Sequence, residues 1–137
     1  MNTQNKHDFK YGIFEARAKV PAGQGFLPAF WMMPTNENLY GQWPRCGEID
    51  IMEVLGNDTT RSYGTLHYGN PHSQSQAGCP LTEGSFSDEY HTFAVEREPV
   101  RTSWHVVGRT RRTHNDRYSA WQHQGETPPP SAFDQTV

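Results

Sequence analysis

The segment Glu48-Ile49-Asp50-Ile51-Met52-Glu53 puts three carboxylates within six residues, each next to an apolar side chain. On a regular strand Glu48 and Asp50 share one face, while Ile49 and Ile51 share the other. Strict alternation would then send Glu53 into the apolar layer, where an unpaired carboxylate costs several kcal/mol. One extra residue near Ile51-Met52, a β-bulge, returns Glu53 to the face of Glu48 and turns Val54 inward. Three carboxylates on one open face can do two-carboxyl chemistry, one acting as nucleophile and one as general acid and base, as in retaining cleavage of a glycosidic bond. Glu48 and Glu53 have α-carbons on the order of 13 Å apart at strand rise, a gap that inward-leaning side chains on a curved sheet would largely close. Asp50, between them, is expected to raise its neighbours' proton affinity and help keep Glu53 protonated. On spacing alone a calcium site or a plain charged strand face fits as well.

The elements that must position this segment are short strands. Ten Pro and twelve Gly interrupt the 137 residues, and no window keeps helical periodicity beyond two turns. Phe14, Ala16, Ala18 and Val20 alternate with Glu15, Arg17 and Lys19, the pattern of a half-buried strand that Pro21-Ala22-Gly23 ends. Further strands are expected at 29–33, 48–55, 62–68, 91–96 and 102–107, which together read as an antiparallel sandwich or part of one. The stretch 109–137, with Arg and His clusters and a Pro triplet, reads as a loop-rich tail. Leu, Ile, Val and Phe make up only 22 of 137 residues, so 17 aromatics must supply much of a thin core.

Charge and composition exclude several functions. A net charge of −3 gives no footprint for nucleic acid or an anionic membrane. The basic run Arg109 to Arg112 is short and reads as a solvated loop. No apolar stretch approaches a membrane span, and the first seven residues contain no signal-peptide core. Cys46 and Cys79 allow one disulfide or two thiols, and spacing leaves both open. The histidines at 72, 91, 105, 114 and 123 lack metal-ligand spacing and read as surface or structural. Trp43 stands five residues before Glu48 beside a proline, as an exposed sugar-stacking face would. Trp31 fits either an apolar core or the cleft. His67 faces the carboxylates if Leu66 faces the core.

The run from Glu48 to Thr59, Glu-Ile-Asp-Ile-Met-Glu-Val-Leu-Gly-Asn-Asp-Thr, resembles the active-site signature of glycoside hydrolase family 16. Its extra residue before the second Glu is similar to the laminarinase-like endo-β-1,3-glucanase branch. Residues 11–19, 28–32, 43–47, 64–69 and 86–93 resemble family segments in the same order. The resemblance implies an all-β, antiparallel jelly-roll sandwich of the concanavalin A-like type, incomplete at both ends in a chain of this length. A single partial catalytic domain over residues 1–137 is the expectation. It also implies Glu48 as nucleophile, Glu53 as acid and base, and Asp50 as the residue orienting the nucleophile, with Trp43, His67 and Trp31 touching substrate. The implied activity is endo-acting, retaining hydrolysis of β-1,3-glucan (laminarin-like) or mixed-linkage β-glucan. A glucan-binding remnant without turnover, or a transglycosylase, stands as the alternative. The chemistry needs no cofactor. A structural calcium occurs in the family, and the segments that usually hold it are expected outside this chain. A β-glucan partner, a monomeric state and an extracellular location complete the expectations. Leu27, Arg97, Val100 and Val107 depart from residues usual in the family.

Overall fold

A computed structural model describes residues 1–107, 118–123 and 135–136. The strands are β1 (Gly12–Ala18), β2 (Ala29–Pro34), β3 (Glu48–Leu55), β4 (Asp58–Tyr68), β5 (Ser73–Pro80), β6 (His91–Glu98), β7 (Arg101–Val107), β8 (Tyr118–His123) and β9 (Gln135–Thr136). They form two antiparallel sheets, one ordered β1-β6-β7-β8 and the other β5-β4-β3-β2-β9. The fold is the all-β sandwich expected. All six expected strands are present. β8 and β9 lie within the stretch read as loop-rich, and the rest of that stretch, including the Arg109 to Arg112 run, lies outside the described residues.

Apolar side chains from both sheets meet in two adjoining clusters. Met32, Ile49, Ile51 and Leu66 pack with Val95 and Trp104 from the opposite sheet. Val20, Met52 and Val54 pack with Phe86, Phe93 and Val106. Phe86, Phe93, Met32, Ile49, Val54 and Val95 are fully buried. The alternation in β1 follows the sequence pattern: Phe14, Ala16 and Ala18 turn inward while Glu15 and Arg17 stay exposed. Arg97 is buried at 6% exposure. Its guanidinium donates to the Lys10 carbonyl oxygen at 2.6 Å and lies over the Tyr11 ring. A buried cation thereby gains an acceptor and an aromatic face.

Both cysteines are free, Cys46 buried and Cys79 half-buried. Burial pushes both thiols above their ordinary pKa, with Glu37 adding to the effect at Cys46. They are therefore poor nucleophiles.

Candidate active site

β3 carries the bulge that its sequence demands. Against β4, Asp50 pairs with Thr65 and the next partners are Glu53 with Tyr63; against β2, Asp50 pairs with Trp31 and Met52 with Phe30. The ladder slips on both sides at Ile51-Met52. As a result Ile49, Ile51, Met52 and Val54 all enter the core, although Ile51 and Met52 are consecutive. Glu48, Asp50 and Glu53 are left on the other face.

Each carboxylate has its own partner. The Trp43 indole Nε1 donates to Glu48 Oε2 at 2.6 Å. The Thr65 hydroxyl donates to Glu53 Oε2 at 3.2 Å, and Gln76 Nε2 donates to that hydroxyl at 3.0 Å, which fixes its direction. His67 Nε2 stands 3.1 Å from Asp50 Oδ2. The contact is of ion-pair length and not a formed hydrogen bond, and Asp50 Oδ2 is buried without a hydrogen-bond partner. His67 in turn shares a proton with His72 across 2.9 Å between Nδ1 and Nε2, and the two rings stack. Trp43 lies 5.3 Å from the His72 ring and 6.0 Å from the His67 ring. Tryptophan, histidines and carboxylates thus form one connected wall.

The electrostatics single out the central carboxyl. Asp50 is only 3% exposed. Burial, then Glu53, then Glu48 push its carboxyl from 3.8 up to about 8. The carboxyl held protonated in neutral solution is therefore the central, buried one. Asp50 lies at the floor of the face, where loss of water and two neighbouring carboxylates together oppose its ionisation. One ligand atom each from Asp50, Glu53 and His67 lie within 4.8 Å of one another, a spacing at which the three could hold one metal ion.

All six expected site residues fall on or beside this face. Trp31 pairs with Asp50 and therefore shares its side; at 46% exposure it belongs to the cleft and not to the core. It lines a groove with Asn2, Gln4, Phe30, Met33 and Glu37. Trp43 is 49% exposed and lines a neighbouring polar groove with Asn36, Asn38 and Gln42. Leu66 faces the core and His67 the carboxylates, which settles the register of β4. Sequence reasoning missed Thr65, Gln76 and His72. Thr65 was within reach, since it lies two residues from His67 on the same strand. Gln76 and His72 gave no signal, because both follow from the pairing of β5 or the turn before it.

The profile of the glycosyl hydrolases family 16 matches residues 1–131. The chain belongs to that family. It is 40% identical over 113 residues to the glucan endo-1,3-beta-glucosidase A1 of Niallia circulans, covering 80% of this chain and 16% of that protein. A beta-1,3-glucan-binding protein of Penaeus monodon is 34% identical over 139 residues, covering 93% of this chain and 38% of that protein. The catalytic domain of an endo-1,3-beta-glucanase (laminarinase) from Thermotoga petrophila RKU-1 superimposes with a TM-score of 0.72 at 36% identity, covering 90% of this chain and 46% of that one. The chain spans less than half the length of these relatives.

Proposed function

We propose that this family 16 chain carries the catalytic centre of an endo-acting, retaining β-glucan hydrolase that cuts β-1,3 linkages in laminarin-like or mixed-linkage glucan. The observation that carries the reading is the bulge at Ile51-Met52, which turns Glu48, Asp50 and Glu53 to one open face flanked by exposed Trp31 and Trp43. Glu48 attacks the anomeric carbon, with the Trp43 N–H restraining one carboxylate oxygen and leaving the other to react. Glu53, steadied by Thr65, gives its proton to the departing glycosidic oxygen. A water then loses a proton to Glu53 and releases the sugar from Glu48, so configuration is retained. Asp50, uncharged at neutral pH, lies between the two at the floor of the face and orients Glu48. Trp31, Trp43 and His67 offer the flat and polar surfaces that sugar rings stack on and hydrogen-bond to.

These steps use carboxyl groups and water alone, so no metal is needed, and dialysis against a chelator should leave the rate unchanged. A polymeric substrate places the protein outside the cell, which fractionation of the source culture would test. The deciding assay is release of reducing ends from laminarin and from mixed-linkage glucan by the purified chain, with Glu48→Gln alongside. Oligosaccharide products from the native chain and none from the variant are expected. A folded native chain that binds laminarin without releasing ends would favour binding without turnover, the role in the name of the Penaeus relative. Larger products made when oligosaccharide acceptors are added would indicate transglycosylation.

A further inference from the structure

The catalytic strand is held from behind. Trp104 sits in β7, in the sheet that bears none of the carboxylates, at 3% exposure. Its indole Nε1 crosses the sandwich core and donates to the backbone carbonyl oxygen of Asp50 at 2.7 Å. That carbonyl lies where the ladders on both flanks of β3 slip. A bulge takes backbone groups out of the regular ladder, and a buried carbonyl without a donor is costly. Trp104 supplies a donor there.

The space for this contact is built into β4. Gly64 lies opposite the bulge, between Thr65 and Tyr63, which pair with Asp50 and Glu53. A Cβ at Gly64 would come within 2.4 Å of Trp104 Cδ1 and 2.6 Å of its Nε1. Real Cβ atoms do not approach that closely, so any larger residue at this position must displace the indole. The glycine and the tryptophan therefore form one unit.

We propose that Trp104 is a positioning residue for the carboxylates, fixing through the Asp50 carbonyl which residue of β3 is the extra one. The proposal rests on the catalytic reading above. A bulge that moves by one residue exchanges the faces of the side chains it passes. Moved one residue towards Leu55, it would turn Met52 out of the core onto the face of the carboxylates, and moved one residue towards Ile49 it would turn Ile51 out; a second step in either direction would carry Glu53 or Asp50 into the core. The N–H of Trp104 marks a single carbonyl and so selects one arrangement. The Trp104→Phe variant keeps an aromatic ring in the core but loses the donor and part of the indole's volume, so its effect is compared with that of a packing control.

Three variants of the full chain test this: Trp104→Phe, Gly64→Ala and Val106→Ala. Val106 is also a buried β7 residue, packs in the second apolar cluster and serves as the packing control. Trp104→Phe and Gly64→Ala should lower kcat on laminarin at least tenfold with KM within twofold. Val106→Ala, at equal or greater loss of thermal stability, should keep kcat within twofold. Amide hydrogen exchange, which needs no substrate, should quicken at least tenfold at Ile51, Met52 and Glu53 in the first two variants, with β6 amides unchanged, and should not do so selectively in the third. Trp104→Phe with native kcat, or with exchange at those three amides no faster than in Val106→Ala, overturns the proposal. A native chain without hydrolytic activity removes the catalytic reading, and the exchange comparison alone then decides whether Trp104 holds the bulge.

Discussion

Replacing Asp50 by Asn removes a carboxyl whose ionisation the fold opposes, and the effect on stability must depend on pH. The group titrates at about 8 in the native chain against 3.8 as its ordinary value, through burial, Glu53 and Glu48 in that order. Between those two pH values the folded chain keeps a proton that the unfolded chain releases. Stability conferred by the protonated group is therefore complete below the lower value and is lost as pH rises towards the upper one. Each pH unit in that window is worth about 1.4 kcal/mol, so going from pH 5 to pH 8 takes a ceiling of about 4 kcal/mol from the native chain. The amide of the Asp50→Asn variant does not titrate and carries no such dependence. Urea unfolding of both proteins at several pH values between 5 and 8 reads the difference directly, since every other titrating group is common to the two. The stability advantage of Asp50→Asn should grow with pH and level off above pH 8, while hydrolysis falls at least tenfold, a trade of activity for stability. A difference that stays flat, or that grows towards acid, would refute the reasoning.

Trp43→Phe keeps a flat ring beside the cleft but removes the donor to Glu48. Loss of a hydrogen bond to a charged group, on the order of 2 kcal/mol, should lower kcat by about tenfold to thirtyfold, read with laminari-oligosaccharides; native kcat would make that N–H dispensable. Burial lowers the pKa of His91, whose ring packs edge-on against Phe86. The unfolded chain then takes up its proton first as pH falls, so stability should drop as pH goes below about 6.5. A His91→Gln variant should flatten that acid slope in thermal melts, and an unchanged slope would assign it elsewhere. Arg97→Met keeps the buried stem but loses the donor to Lys10 and the cation over Tyr11. The expected loss is about 1–3 kcal/mol in urea unfolding with native kcat; a neutral change would show that β1 is held by its ladder alone.

The bulge in β3 was legible because residue types conflict with strict alternation. Four apolar and three acidic side chains between Glu48 and Val54 admit one arrangement that buries the first set and exposes the second. β1 was legible from period-two patterning. β5 was not, because Ser73–Pro80 is polar and lies at the end of the described sheet, where one neighbour suffices. Its absence from the reading also hid Gln76 and its support of Thr65. Which carboxyl would be most buried depends on the depth of the strand below Trp31, Thr65 and His67, and spacing says nothing about depth. The tie from Trp104 to Asp50 joins residues 54 positions apart in different sheets, so only the packed sandwich reveals it.

The central claim is that Glu48 becomes covalently glycosylated during turnover. The most direct test treats the purified chain with a 2-deoxy-2-fluoro laminaribiosyl fluoride and maps the adduct by intact mass and peptide sequencing. A single adduct on Glu48, absent from Glu48→Gln and released slowly by added acceptor, is the expected result. An adduct on Glu53, or an active chain that forms none and yields products of inverted configuration, would contradict the account.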